Sequence, residues 1–191
     1  LICAITLGAS LRRPIHNLLL ALFPLAMLAI ALELLLPGQQ VGEKHTAGMY
    51  SHIILSILAY SMLTIAAVQA LVLASQDRML RQHQLRGLPS FMPPLQTMES
   101  MLFELVAASF LLLTAAIGTG VVFVDDLLGQ NLAHKTLFSI MAWLLLGVLI
   151  GGRLALGWRG RTAIRWTLWA FAFLLLGYLG TKIALSLIAS P

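Results

Sequence analysis

Residues 50–74 read YSHIILSILAYSMLTIAAVQALVLA, a stretch without a single Asp, Glu, Lys or Arg. Gly42-Glu43-Lys44-His45-Thr46 lies ahead of it and Ser75-Gln76-Asp77-Arg78 closes it. A helix of roughly 20 mostly apolar residues crosses the roughly 30 Å hydrocarbon layer of a bilayer, so this stretch is predicted to span a membrane. Four more stretches of the same kind lie at about 17–36, 100–124, 134–156 and 163–187. Pro37-Gly38 ends the first of these, Asp125-Asp126 the second, and Gly157-Trp158-Arg159-Gly160-Arg161 separates the last two. Residues 1–10, LICAITLGAS, are too short to span and lack the basic start of a signal peptide; they read as the end of a helix whose beginning is missing. No stretch alternates as barrel strands do. The expected fold is an all-α polytopic membrane helix bundle. It has about five complete transmembrane helices and a truncated N-terminal one, forming one membrane-embedded domain over 1–191.

Composition leads to the same conclusion. The 191 residues are 60% hydrophobic and 10% charged, with a mean hydropathy of +0.94. A soluble domain carries roughly 25% charged residues, and a small fold has too little interior to hide this much apolar surface. The net charge of +5 comes from short basic clusters between apolar runs, which excludes a nucleic-acid-binding reading. Cys3 is the single cysteine, so there is no intramolecular disulfide, CxxC motif or paired-cysteine metal site. It reads as a small buried hydrophobe.

Lys and Arg collect in cytoplasmic loops. Arg12 and Arg13 lie in the first connection, Arg78, Arg81 and Arg86 in the third, and Arg153, Arg159, Arg161 and Arg165 in or beside the fifth. The alternate connections hold only Lys44 and Lys135, beside Glu43, Asp125 and Asp126. The basic connections are therefore predicted to be cytoplasmic and the C-terminus to lie outside, in the periplasm of a bacterium. His16 and His83 then fall on the cytoplasmic side, and His45, His52 and His134 on the outer side.

His52, Ser56 and Tyr60 are spaced i, i+4, i+8 and share a face of an otherwise apolar helix. Polar groups in a span cost free energy unless they find partners. Two readings stand: an interhelical hydrogen-bond stripe, or a ligand, His52, with the other two groups lining its pocket. A helix beginning near Ala133 places His134 in its first turn, with Phe138 and Met141 below it on the same side. An imidazole above an aromatic ring and a thioether suits a flat apolar cofactor; it equally suits a helix end anchored at the interface. Two outer histidines at matching depth raise the joint reading. Imidazole ligates haem iron, and the macrocycle needs an apolar cleft. Tyr60, Phe138 and Met141 would wall that cleft, and Lys135 would meet a propionate at its rim. Zinc fits less well, for a structural site wants four N or S ligands. His45 sits in a polar loop and reads as solvated.

The other signals read as structural. Gly118-Thr119-Gly120 and the Gly147/Gly151 pair let helix backbones approach closely. Pro93-Pro94 stiffens a connection, while Glu33, Glu104 and Lys182, near helix ends, snorkel. The chain has no GxSxG, Walker loop, HExxH or paired-carboxylate arrangement, so no hydrolytic or phosphoryl-transfer reading survives.

Gly48-Met49-Tyr50-Ser51-His52, followed by Ser56 and Ala59-Tyr60, resembles the first histidine-bearing helix of the CcsA/HemX-type cytochrome c assembly proteins. Met92-Pro93-Pro94-Leu95, Phe110-Leu111-Leu112-Leu113-Thr114, His134-Lys135-Thr136 with Ser139 and Trp143, Gly157-Trp158-Arg159-Gly160-Arg161 and Tyr178-Leu179-Gly180-Thr181-Lys182 extend the likeness. Together they look most like the YpjD branch, inner-membrane proteins with about eight expected helices, so roughly two and a half N-terminal helices are expected to be absent here. The resemblance implies haem handling at the outer face, with His52 as a haem ligand. The family's tryptophan-rich loop has no counterpart: Asp125-Asp126-Leu127-Leu128-Gly129-Gln130-Asn131-Leu132 stands there instead. Gly180-Thr181-Lys182 stands where the family carries a further C-terminal histidine; His134, placed where the family's loop ends, is expected to supply the second ligand instead.

The leading expectation is thus an inner-membrane, haem-binding or haem-handling protein of the cytochrome c assembly family, without catalysis of its own. Its expected partners are the lipid bilayer and another membrane protein or assembly component. A haem-free accessory subunit packed against another membrane protein is the alternative. A small-solute transporter ranks last, because no interrupted helix pair marks a midplane site.

Overall fold

The computed structural model describes residues 47–82, 94–123 and 133–189, with side chains over 48–82, 94–123 and 135–178. These residues form four helices: α1 (Ala47–Arg81), α2 (Leu95–Phe123), α3 (Ala133–Leu156) and α4 (Arg161–Ala189). They stand where the sequence predicts spans at 50–74, 100–124, 134–156 and 163–187. The candidate at 17–36 and the fragment 1–10 lie outside the described residues, as do the side chains of His45, His83, His134 and Lys182. Three helices are long and apolar enough to cross a membrane: α1 from Gly48, α2, and α3 from Lys135. Their outer surfaces are apolar where a soluble protein would be polar. Leu111 is 68% exposed, Val122 70% and Leu154 83%, as suits a lipid-facing wall rather than a wet one.

Two helices run further than the apolar pattern. The 35 residues of α1 measure about 52 Å at roughly 1.5 Å per residue, against roughly 30 Å of hydrocarbon. Nothing in Ser75-Gln76-Asp77-Arg78 stops a helix, and an Arg81–Asp77 pair at i, i+4 (3.1 Å) holds the extra turns together. At the start of α2, the Pro94 carbonyl accepts from Thr97 and Met98, so the helix begins straight after the proline. Glu104 therefore lies in the third turn of α2, exposed, and not within a turn of the helix end as expected. α3 ends on Gly157, whose φ of 66° is the left-handed conformation of a helix C-cap.

α1 packs on α2 and α4, and α3 packs on the same two helices. Successive helices run antiparallel, so α1 and α3 face one another across the bundle. One end carries Asp77, Glu99, Arg153 and Arg161; the other carries Gly48, His52, Gly120, Phe123 and Gly177. The core between them is built from Leu63, Leu73, Leu102, Val106, Leu146, Leu149 and Leu174. Every residue from Ile65 to Ala70 in mid-α1 is buried. Three alanines there let the neighbouring helices close in, which is how packing substitutes for the hydrophobic effect inside a bilayer.

Polar groups within the spans are mostly satisfied inside their own helix: Ser61, Ser109 and Thr167 donate to the carbonyls of Ile57, Leu105 and Ala163. One bond crosses. Trp143 Nε1 donates to Thr114 Oγ1 at 2.8 Å, beneath a stacked Phe110–Trp143 pair 5.5 Å apart. Trp143→Phe keeps the stack and removes the bond. An interhelical bond in a membrane is worth about 0.6 kcal/mol and at most about 1.7. Thermal melting in detergent is therefore expected to show a small loss, and no further loss when Thr114→Val is added. Additive losses would show that the two side chains act independently.

Candidate functional site

His52 lies one and a half turns into α1, close to the non-basic end of the bundle. Its Nδ1 donates to the Ala116 carbonyl of α2 at 2.8 Å. That carbonyl would ordinarily be committed within α2, but it also accepts from Thr119 Oγ1 at 3.0 Å. Thr119 Oγ1 itself approaches Nδ1 to 3.4 Å. Donation through Nδ1–H fixes the tautomer, leaving the Nε2 lone pair as the ring's basic site. Among the described residues, no hydrogen bond reaches Nε2.

The ring is seated on a glycine. A Cβ built at Gly120 would come within 2.9 Å of His52 Cε1 and 3.2 Å of Nδ1. The small-residue run at 118–120 therefore works through one member only, for Gly118 has nothing within 4 Å. The second expected pair divides the same way: Phe110 lies against Gly147, nothing lies within 4 Å of Gly151, and Trp158 covers the adjacent Gly152. Gly120→Ala is expected to push the imidazole aside and lengthen its bond to Ala116. Overpacking of this kind costs about 1–3 kcal/mol. Gly118→Ala, facing open space, should cost nothing in the same melting experiment. Equal effects at both positions would refute this seating of the ring.

Of the other residues in the expected stripe, Ser56 is half-buried. Tyr60 points inward. Its hydroxyl is buried without a hydrogen bond, and Ser139 of α3 is the polar side chain beside it. Tyr60 and Ser139 thus mark where α1 and α3 meet across the interior. Tyr60 lies about 12 Å below His52 along α1 and Ser139 about 7.5 Å below position 134 along α3, at roughly 1.5 Å per residue. Both histidine positions therefore lie toward the same end of the bundle. Ser139 entered the sequence reading only as part of a family motif; its role opposite Tyr60 comes from the structure.

The remaining expected wall residues go elsewhere. Phe138 lies 6.1 Å from the Phe173 ring of α4 and covers Gly177. Met141 is 38% exposed and borders a groove of about 550 Å³ between α3 and α4, with Trp166, Trp169 and Phe173. Tyr60 shares neither surface. On α3, Phe138 and Met141 lie on one side, and Ser139, about 100° further round, faces α1. Lys135, exposed in the first turn of α3, sits at the same end of the bundle as His52.

Residues 4–188 match the protein family described as "Cytochrome C assembly protein". Inner membrane protein YpjD of Escherichia coli strain K12 is 32% identical over 190 residues, covering 99% of this chain and 72% of the relative. An uncharacterized 28.8 kDa protein in the nifR3-like 5'region of Azospirillum brasilense is 36% identical over 133 residues, covering 69% of this chain and 49% of that one. No solved structure matches the chain.

Proposed function

The chain belongs to the cytochrome c assembly protein family, and we propose that this member binds or handles haem at the His52 end of its bundle, on the periplasmic face of the inner membrane. The observation that carries this reading is the Nδ1 bond of His52 to the Ala116 carbonyl at 2.8 Å. Metal-ligating histidines are typically held this way, the second nitrogen anchored to a carbonyl so that Nε2 presents its lone pair. The buried Tyr60 hydroxyl, about 12 Å further in along α1 with Ser139 beside it, adds a polar group that an occupant of the α1/α3 interior would meet.

In this reading His52 on α1 and His134 on α3 would hold the haem iron. Tyr60 would contribute aromatic surface inside the α1/α3 interior and Lys135 a cation for a propionate, whereas Phe138 and Met141 face α4 and line no shared wall with it. Haem would supply an iron that binds imidazole nitrogen. The protein's own part is to fix the tautomer of His52, to hold its ring against Gly120, and to enclose the cofactor in apolar helices. The arginines gathered at the opposite end support the periplasmic placement.

The visible spectrum of the purified protein tests the proposal. A Soret band unchanged by His45→Ala and His83→Ala is expected. A colourless protein, after expression with ample haem, would overturn the proposal. It would leave the haem-free accessory subunit, with His52 serving only to bond α1 to α2.

A further inference from the structure

At the basic end, α1 and α4 part to leave a groove of about 560 Å³. Arg78, Arg161 and Arg165 line it together with Ser75 and Asp77, and Leu71, Ala74 and Ile164 line its apolar part. Asp77 is the single carboxylate among the lining residues. It is already committed, accepting from Arg161 Nε at 2.9 Å and from Arg81 Nε at 3.1 Å. Arg78 and Arg165 are exposed and form no ion pair among the described residues. Two uncompensated guanidinium groups thus stand on either side of one opening.

Depth gives the groove its second character. Leu71 is 55% exposed and lies about 10 Å nearer the bundle centre than Arg78, at roughly 1.5 Å per residue. Passing inward along α1, the lining therefore changes from guanidinium and hydroxyl at Arg78 and Ser75 to aliphatic surface at Ala74 and Leu71. A soluble anion would use only the first half. A ligand with a phosphate head and an acyl tail would use both, its head in the bidentate reach of arginine and its tail along Ala74 and Leu71.

We propose that this groove is a binding site for an anionic phospholipid of the leaflet on the basic side. Arg78 and Arg165 hold the phosphodiester, and Arg161 is kept at the rim by Asp77. The site is separate from the His52 end, so neither proposal depends on the other.

The test is native mass spectrometry of the full chain in detergent, titrated with phosphatidylglycerol or with phosphatidylcholine. A basic residue near a membrane surface strengthens anionic-lipid binding about fivefold. Arg78→Gln with Arg165→Gln is therefore expected to weaken phosphatidylglycerol binding on the order of 25-fold, leaving the weak phosphatidylcholine adduct unchanged. Arg159→Gln, exposed at the same end but outside the groove lining, should leave phosphatidylglycerol binding as it is. Glycerophosphate in excess should fail to displace the lipid. Equal losses with Arg159→Gln would reduce the effect to general surface charge and overturn the site. Displacement by glycerophosphate would overturn the lipid in favour of a soluble phosphate. Helix content by circular dichroism, expected unchanged, shows that the double variant has kept its fold.

Discussion

Replacing His52 with alanine is expected to abolish the Soret band of the purified protein or to shift it as an axial ligand is lost. Loss of a mere outer-shell partner costs a metal site about 10–100-fold in affinity, so loss of a ligand should exceed that. The same substitution also removes the bond to Ala116, and the two roles need separating. The structural part is small, about 0.6 kcal/mol for a typical interhelical bond and at most about 1.7. His52→Asn separates them, because the Asn amide places a donor near the position of Nδ1 but brings no imidazole lone pair. If His52 is a ligand, the Asn variant melts close to the native protein and still loses the spectrum. Imidazole added to the alanine variant should then restore part of the band. If His52 is only a bond between helices, Asn restores everything measured, and the proposed ligation fails.

Much of this arrangement can be read in the sequence, for reasons particular to membranes. Uncharged stretches such as 50–74 announce spans because the bilayer tolerates few alternatives. Their ends are harder to read. Gln76, Arg78 and Arg81 are polar yet good helix formers, so α1 runs on past its apolar stretch, where hydropathy carries no signal. His52 stands out because a polar ring on an apolar helix needs a partner. The partner could not be foreseen, since the Ala116 acceptor is a backbone carbonyl and every residue has one. Gly118 and Gly120 look equivalent in the sequence; a rotation of about 200° between them puts one beneath the imidazole and leaves the other open. The same angular sensitivity separates Met141 from Tyr60. An i, i+3 spacing shows correctly that Phe138 and Met141 lie on one side of α3. It does not show that this side meets α4 while Ser139 turns toward α1. Periodicity gives relative phase within a helix, and only packing fixes the phase between helices.

The largest stability effect is expected at the other end of the bundle, from Glu99→Ala. Glu99 accepts from Arg153 Nη1 at 2.8 Å, with side chains 12% and 28% exposed respectively. The guanidinium also lies 4.2 Å from the Phe103 ring centroid. The pair joins the start of α2 to the end of α3, where Arg153 is surrounded by apolar helix and cannot fully reach water. Removing one partner of a buried pair costs about 3–5 kcal/mol, because the remaining charge is left uncompensated. The Phe103 contact returns about 0.5–1 kcal/mol of that. A net loss of about 2–4 kcal/mol is therefore expected in denaturant unfolding followed by circular dichroism. Asp77 and Arg81 supply the contrast. They form an ion pair of similar length, 3.1 Å, but the arginine side chain is 61% exposed. Arg81→Ala should therefore cost no more than about 1 kcal/mol. Asp77 also keeps Arg161 as a partner at 2.9 Å, so removing Arg81 leaves no charge stranded there; burial and this second partner separate the two sites. The double change of Glu99→Leu with Arg153→Met should recover most of the lost stability, for replacing a whole buried pair by apolar side chains is commonly neutral or better. If the double variant is as unstable as Glu99→Ala, the loss comes from packing at position 99 and not from a stranded guanidinium.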